Sequence, residues 1–403
     1  MKNIKWSLFL VIATISSASA QLLTREDSLT AGLNPNLKSV ILSGYGQAKY
    51  SYDANLKSAT ANLTRNVLFV GYRFNDKLTF FSEIEIEDAK VDAEGGEIAI
   101  EQCVLKFDLN RNNYILAGLF IPRIGIMNEN HLPTTFNGND RHIVEALVIP
   151  ATWREIGVGY YGTSNSVAGL SWSLALMNGL NSVGINGTNG IREARFEGRD
   201  ATASNLATTG SLLYSYSGLR LQWSAYYGGT VGLTSHSADS LQLDSGPFGT
   251  PVGLTEMNIH YRKSGFTFKA LGSYCTIPDA KKLNRAYASN APEAMYGYFA
   301  EIGYDLLSTK STDDKQLILF TRFEGLDLMA KVPDNGIKDE TVKQQYIIAG
   351  LTYLPFRGVA IKADWKHRST GDANPALIFN PSPNAPAYLK TNNFYQLGIA
   401  YSF

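Results

Sequence analysis

The sequence predicts an all-β protein, a transmembrane antiparallel β-barrel of about sixteen strands with short periplasmic turns and long extracellular loops. Two observations indicate this fold. Large apolar residues alternate with small or polar residues along most of the chain, which is the period of a strand with two different faces. Tight connections also alternate with long connections rich in Gly, Asn, Pro and Ser, as expected for a barrel with turns at one end and loops at the other.

The N-terminus has the features of a secretory signal. Lys2 and Lys5 form a basic region, an apolar run follows, and Ala18-Ser19-Ala20 is a small-residue cleavage site. The apolar run is too short to span a bilayer as a helix. We therefore predict a signal peptide at 1–20, an N-terminal periplasmic segment at 21–37 and the barrel at 38–403.

The composition excludes several classes of protein. Without Lys2 and Lys5 the chain has 34 basic against 36 acidic residues, so a general affinity for nucleic acid is not expected. Two cysteines in an exported chain do not make a disulfide framework, and Cys103 and Cys275 fall on distant predicted strands. We expect both to be free thiols.

Period-2 segments define the strands. In "FFSEIEIED", for example, Ile84 and Ile86 alternate with glutamates, and in "VAIKADWKHR" Ile361 and Trp365 alternate with charged residues. The predicted strands cover 38–52, 63–75, 77–92, 95–110, 112–121, 152–163, 167–179, 205–217, 219–231, 252–263, 265–276, 294–306, 315–326, 342–355, 358–369 and 392–403.

Closure of the barrel explains the alternating C-terminal segment "YQLGIAYSF". In hydrocarbon every backbone N–H and C=O needs a partner within the protein, so the last strand must pair with the first. Tyr395, Leu397, Ile399, Tyr401 and Phe403 would then face lipid. The segment also resembles the terminal signal of Gram-negative outer-membrane proteins, which the barrel-assembly machinery reads. In that resemblance the signal residues are Gln396, Gly398, Tyr401 and Phe403.

The whole mature chain resembles the sixteen-stranded porins, and within them the phosphate-selective porin O and P group. The third long connection, 122–151, falls where porins fold a loop inward to narrow the pore. The resemblance implies that its ionisable residues form the constriction: Arg123, Glu129, His131, Asp140, Arg141, His142 and Glu145. The alternative is an ordinary surface loop over the barrel mouth.

Charged residues on the predicted strands form the expected lumen wall. They are Glu83, Glu85, Glu87, Arg322, Lys362, Asp364, Lys366 and Arg368. A phosphate site needs converging Arg or Lys side chains. Lys362, Lys366 and Arg368 form a candidate basic ladder, but the acidic residues of the third strand and the mixed charge of the loop are also typical of a solvated wall.

These observations favour an outer-membrane porin, a passive diffusion channel for small hydrophilic solutes or ions, with phosphate-like anions as one candidate class. The expected partners are outer-membrane lipid and lipopolysaccharide, the barrel-assembly machinery and, from the resemblance, two further copies in a homotrimer. Two alternatives stay open: a plugged, structural or adhesive barrel, and a barrel-embedded hydrolase.

The sequence gives little support for an enzyme, a cofactor or a metal site. "GVGYYG" spells a dinucleotide-binding pattern but lies in an alternating strand without a following helix, and no G-x-S-x-G motif occurs. Asp364 and His367 have opposite strand parity, so they should point to opposite faces. The five histidines lack the spacing of known metal sites.

Overall fold

A computed structural model describes residues 39–92, 95–308, 315–377 and 389–403. The predicted signal peptide and the segment 21–37 lie outside the described residues. Within them, sixteen strands form one closed antiparallel barrel in which each strand pairs with its neighbours in the chain and the last strand, β16, pairs with the first, β1. The predicted fold class and strand number are therefore confirmed.

The strands follow the sequence pattern closely. Their bounds are β1 Ser39–Asp53, β2 Ser58–Arg73, β3 Leu78–Asp92, β4 Gly95–Asp108, β5 Asn113–Phe120, β6 Glu155–Thr163, β7 Leu170–Asn178, β8 Leu206–Tyr216, β9 Leu219–Gly228, β10 Val252–Lys263, β11 Phe266–Thr276, β12 Ala294–Asp305, β13 Gln316–Lys331, β14 Lys343–Phe356, β15 Val359–Thr370 and β16 Thr391–Ser402. Cys103 lies on β4 and Cys275 on β11, and both are free thiols, as predicted.

Two strands extend five residues beyond the prediction. β2 begins at Ser58 because its first residues pair with the end of β1, for example Ala59 with Tyr52. β13 continues to Lys331, which pairs with Ala294 of β12. Leu328 and Met329 in that extension are buried. Both faces of the β2 extension are exposed, and both faces of the β13 extension are buried at Leu328 and Met329, so neither extension shows the alternation of exposure on which the prediction depends.

The outward face of the strands carries mainly large apolar residues, whereas the inward face carries small, polar and charged residues together with an apolar cluster that includes Phe69 and Phe81. On β16, Leu397 and Ile399 are 57% and 58% exposed, whereas Gln396 and Ala400 are 4% and 0% exposed. The same alternation occurs on β9, where Trp223 is exposed and Gln222 is buried. An apolar outer belt of this kind is what contact with lipid requires.

The end of β16 closes the barrel. Phe403 exchanges two backbone hydrogen bonds with Gly44 of β1, at 2.9 and 3.1 Å. Tyr401 directs its hydroxyl to Asn66 on β2, and the Phe403 ring is half exposed. These positions satisfy the backbone at the seam, which would otherwise be an open sheet edge.

The helices are short and lie in the long connections. They are α1 Ile143–Leu147, α2 Ser235–Leu241 and α3 Ala280–Tyr287, with 3₁₀ turns at Ser182–Gly184, Arg192–Ala194, Glu340–Val342 and Pro375–Leu377. Among the residues described above, no helix has the length and apolar character needed to cross a membrane. A large apolar cluster joins α1, the long connections and the part of the wall next to them. It includes Val148, Trp153, Ile185, Tyr226 and Met329.

Candidate functional site

The connection between β5 and β6, residues 121–154, lies inside the barrel and contacts its wall on several sides. We call it the lumen loop. Its residues bond to lumen-facing side chains as far apart as Gln47 on β1, Glu256 on β10 and Asp364 on β15. Apart from the single helix α1 it has no regular structure, so its backbone polar groups need partners from the wall.

The tip of the lumen loop is held by β15. Lys362 donates from Nζ to the carbonyl oxygens of Phe136 and Gly138, both at 2.8 Å, and its ammonium lies 4.1 Å from the Phe136 ring centre. Asp364 accepts from the backbone N–H of Asn139 at 2.9 Å and also from its side-chain amide. Lys362 is therefore buried at this anchor and is not part of an open basic ladder.

Asp140 follows the tip and joins three strands. Its carboxylate pairs with Lys49 of β1 at 2.7 Å and with Lys366 of β15 at 2.5 Å, and accepts from Gln396 of β16 at 3.1 Å. Burial would raise the pKa of Asp140, but the two ammonium groups outweigh burial and hold that pKa well below its usual range. Asp140 is thus a charged clamp between the loop and the seam of the barrel.

Gly398 shows how closely the loop approaches the seam. A Cβ atom at this position would lie 1.9 Å from the side-chain oxygen of Asn139. A larger residue would push the tip away from β16. Gly398 and Gln396, predicted as parts of the assembly signal, thus also contact the lumen loop.

Arg322 on β13 also holds the tip of the lumen loop. Its guanidinium donates to the carbonyl oxygens of Asn137 and Asp140 at 3.4 and 3.3 Å. It also pairs with Glu301 at 3.3 Å and Glu324 at 2.9 Å. Arg322 is 2% exposed, so it serves the loop and its carboxylate neighbours and is not open to the lumen.

α1 packs against β12 and β13. Glu324 accepts from the N–H of Val144 at 3.1 Å, and a Cβ at Gly297 would lie 2.7 Å from a methyl group of Val144. The absence of a side chain at Gly297 lets the helix lie directly on the wall. This accounts for the apolar run that follows His142 in the sequence.

Glu145 and His142 form a buried pair beside α1. Glu145 accepts from the N–H groups of Ile126 and Met127, and its second oxygen is 2.7 Å from His142 Nδ1. Burial, with the charges of Glu256 and Glu324, raises the pKa of Glu145 to about 8. Burial also holds the pKa of His142 well below its usual range, and the charges of Arg322 and Lys269 add to the effect.

The first arm of the lumen loop carries two further charged contacts. On one side Arg123 pairs with Glu129 at 2.6 Å, and Glu129 also pairs with Arg220 of β9. The Arg123 guanidinium lies 5.6 Å from the ring centre of Tyr161. On the other side His131 enters the wall between Glu83 and Glu101 at 3.6 Å from each.

Burial would lower the pKa of His131, but the nearby carboxylates of Glu101 and Glu83 outweigh burial and raise that pKa to about 9. Arg141 lies near Arg65, Glu85 and Glu101, and burial followed by the charge of Arg65 lowers its pKa. On the wall itself Arg65 pairs with Glu85 at 2.9 Å and with Glu87 at 3.7 Å.

The predicted site residues therefore divide by exposure. Those that are buried in contacts between the loop and the wall, or within the wall, are Glu83, Glu85, His131, His142, Glu145, Arg322, Lys362 and Asp364. Those that are only partly buried are Glu87, Arg123, Glu129, Asp140, Arg141, Lys366 and Arg368. Lys366 and Arg368 lie over the Phe394 ring, at 5.0 and 5.9 Å from its centre.

Two arginines of the next long connection were not foreseen as part of the site. Arg192 donates to the carbonyl oxygen of Ala146 at 2.9 Å, and Arg195 donates to those of Pro150 and Thr152 at 3.0 and 3.1 Å. Lys49, Glu256, Glu301 and Glu324 were also missed. Strand parity could have placed these four strand residues in the lumen. No sequence signal predicts that Arg192 and Arg195 contact another loop.

A cavity of about 1010 Å³ opens at the short-turn end, below the lumen loop. Loop residues 130, 132 and 134–137 form part of its lining. Its cationic lining residues are Arg262, Lys269, Lys315 and Arg357, against the single acidic residue Asp305 in the part of the lining that the structure describes. The cavity is therefore positively biased.

Comparison with known proteins supports the fold. No known family profile matches the chain. An uncharacterized protein of Aquifex aeolicus is 28% identical over 380 residues, covering 91% of this chain and 80% of that protein. Among solved structures, Salmonella typhi OmpF in complex with daunomycin superposes with a TM-score of 0.54 at 12% identity, covering 91% of this chain and 98% of OmpF.

Two further structures have the same architecture. An anion-selective porin from Comamonas acidovorans gives a TM-score of 0.52 at 10% identity, and a trimer form of OmpT, an outer-membrane protein of Vibrio cholerae, gives 0.50 at 10%. Each covers 91% of this chain, and all of the other chain is matched. The chain therefore has the closed sixteen-stranded barrel fold of outer-membrane porins.

Proposed function

We propose that this protein is an outer-membrane porin that sieves small hydrophilic solutes between the lumen loop and the wall. The observation that carries this proposal is the group of partly exposed charges along β15, β1 and β3 beside the loop tip. The group comprises Lys49, Glu87, Asp140, Arg141, Lys366 and Arg368. A diffusion path for hydrophilic solutes requires charged side chains that remain in contact with water, here between the lumen loop and the wall.

We propose a preference for small anions, phosphate among them. Four of the six partly exposed groups are basic: Lys49, Arg141, Lys366 and Arg368. The cavity at the short-turn end is also positively biased, so an anion meets favourable potential on both sides of the loop. Arg side chains in particular can replace the hydration of a phosphate oxygen with charge-assisted hydrogen bonds.

The test is a reversal-potential measurement in planar bilayers under a salt gradient. Wild-type protein should prefer anions, and the double variant Lys366→Glu, Arg368→Glu should shift the reversal potential toward cations. The matched control is Lys57→Glu, Lys343→Glu, which reverses two exposed charges at the rim. Equal shifts in both double variants, or cation preference in the wild type, would contradict the proposed path.

The lumen loop also supports a second candidate, a plugged barrel with a structural or adhesive role. The loop bonds to strands across the lumen, and an apolar cluster fills the upper interior near Trp153 and Tyr226. The same bilayer recordings decide between the two, because a plugged barrel inserts without a measurable conductance step.

We propose that the barrel does not catalyse hydrolysis. Asp364 is committed to Asn139 of the lumen loop, while His367 bonds through Nδ1 to Asn393 of β16 at 3.0 Å. Strand parity places these two side chains on opposite faces, which is unsuited to a shared proton transfer. Incubation with peptide and phospholipid substrates should give no product above buffer.

The proposed location is the outer membrane of a Gram-negative bacterium, reached through the cleaved signal peptide. The outer belt would contact lipid and lipopolysaccharide, and the C-terminal strand would be read by the barrel-assembly machinery. We also propose a homotrimer, which native mass spectrometry of the folded protein in detergent would test.

A further inference from the structure

His131 of the lumen loop lies between two wall carboxylates from adjacent strands. Its Nε2 atom is 3.6 Å from Glu83 Oε1 on β3 and 3.6 Å from Glu101 Oε2 on β4. The three ligand-type atoms lie within 4.8 Å of one another. Glu83 and Glu101 are 0% exposed and His131 is 1% exposed, so the cluster is enclosed by protein.

Each carboxylate is oriented by a neutral donor on its other oxygen. Gln102 donates to Glu83 Oε2 at 2.7 Å, and Thr152 donates to Glu101 Oε1 at 2.7 Å. The remaining oxygens are directed toward His131, and Tyr45 donates to Glu101 Oε2 at 3.0 Å. Outer hydrogen bonds that fix ligand orientation in this way are characteristic of metal sites.

The spacing suits an ion better than a direct hydrogen bond. A separation of 3.6 Å exceeds the usual length of a hydrogen bond, about 2.7–3.2 Å. Two ligands held about 2.0–2.2 Å from a tetrahedral zinc ion lie about 3.4 Å apart. Glu83 Oε1 receives no hydrogen bond from the described residues although it is fully buried. A buried carboxylate oxygen of this kind is costly unless a cation is close to it.

We propose that Glu83, Glu101 and His131 bind a divalent transition-metal ion of the zinc class. Two carboxylate oxygens and one imidazole nitrogen supply three ligands, and a water completes the coordination. The neighbours of His131, Asn130 and Leu132, line the cavity at the short-turn end, so the cluster lies next to this cavity.

The bound ion fastens the first arm of the lumen loop to β3 and β4. Lys362 and Asp140 hold the tip on β15 and β1. The ion would therefore add a second attachment of the loop, on β3 and β4, to that of the tip. The site stands independently of the porin proposal, because it is tested by metal binding and not by transport.

The experiment uses the full-length folded protein in detergent, freed of metal with a chelator. Cobalt(II) is titrated and followed by its visible absorption, and zinc is then used to displace it. We expect one equivalent of cobalt with the strong absorption of a four-coordinate site, and displacement by zinc. Glu83→Gln, Glu101→Gln and His131→Gln should each weaken binding at least about 100-fold.

The matched control is His142→Gln, which removes the other buried histidine of the same loop and should leave the cobalt spectrum unchanged. Gln102→Leu removes only an orienting hydrogen bond and should weaken binding about 10- to 100-fold. Heat-modifiable migration confirms that each variant is folded, and any misfolded variant is set aside in favour of the others. If wild-type protein binds neither ion, or His131→Gln binds as tightly, the proposal is wrong and a protonated imidazole is the cation that joins the two carboxylates.

Discussion

Replacing Lys362 with methionine should release the tip of the lumen loop while leaving the barrel folded. Methionine keeps an unbranched apolar side chain beside the Phe136 ring, one atom shorter than that of lysine, but the carbonyl oxygens of Phe136 and Gly138 lose their donor. Leaving a buried acceptor without a partner costs about 1–3 kcal/mol. Two such acceptors therefore favour displacement of the loop by at least about 2 kcal/mol.

This change corresponds to about a 30-fold increase in the ratio of displaced to seated loop, since 1.4 kcal/mol is a factor of ten. The free energy of unfolding of the whole barrel should change less, because methionine also avoids the cost of burying an ammonium group. Single-channel recordings should show Lys362→Met spending a measurable fraction of time at a second conductance level. Limited proteolysis should cut the loop faster in this variant.

The control is Lys343→Met, which removes an exposed lysine at the start of β14. It should match the wild type in both assays. If Lys362→Met also matches the wild type in conductance levels and in proteolysis, while migrating as a folded barrel, the tip is not held by this lysine and the reasoning fails.

Three further predictions concern the loop charges, the buried acid and the seam. Arg123→Glu with Arg141→Glu should move the reversal potential toward cations, whereas the exposed Arg199→Glu should not; equal shifts in planar bilayers would contradict this. Since the pKa of Glu145 is raised to about 8, above the ordinary carboxyl value of about 4.3, the folded protein holds a proton that the unfolded chain has released. The free energy of unfolding should therefore fall between about pH 4 and pH 8, by at most about 1.4 kcal/mol per pH unit, and Glu145→Gln should remove this slope in urea titrations. Deleting Phe403 should impair assembly into the outer membrane, scored by heat-modifiable migration, far more than a two-residue deletion in the β9–β10 loop.

The strand architecture could be predicted from the sequence because the physics that selects it is local. A period of two assigns each residue to lipid or lumen, and the need to pair every backbone group in hydrocarbon requires closure. The outward positions of Leu397 and Ile399 and the inward position of Gln396 follow from parity alone. The extensions of β2 and β13 do not follow from parity, because both faces are exposed in the first and both are buried in the second.

The contacts of the lumen loop could not be predicted in the same way. Asn139 and Asp364 are separated by 225 positions, and no period relates them. Strand parity directs Glu83 and Glu101 inward, but it does not say that His131 lies between them. The arginines at 192 and 195 belong to a different connection of the chain, yet they donate to carbonyl oxygens of the lumen loop.

The mixed charge of the lumen wall is explained by the irregular backbone that it supports. A loop without regular structure presents both N–H and C=O groups to the wall. Cationic side chains such as Lys362 and Arg322 bond to its carbonyl oxygens, and carboxylates such as Asp364 and Glu324 bond to its N–H groups. A charge in the lumen can therefore hold the loop or line the diffusion path. Replacing a buried charge that holds the loop should alter the position of the loop and hence gating, whereas replacing the partly exposed Arg368, which lies over the Phe394 ring, should alter ion selectivity at a constant conductance pattern.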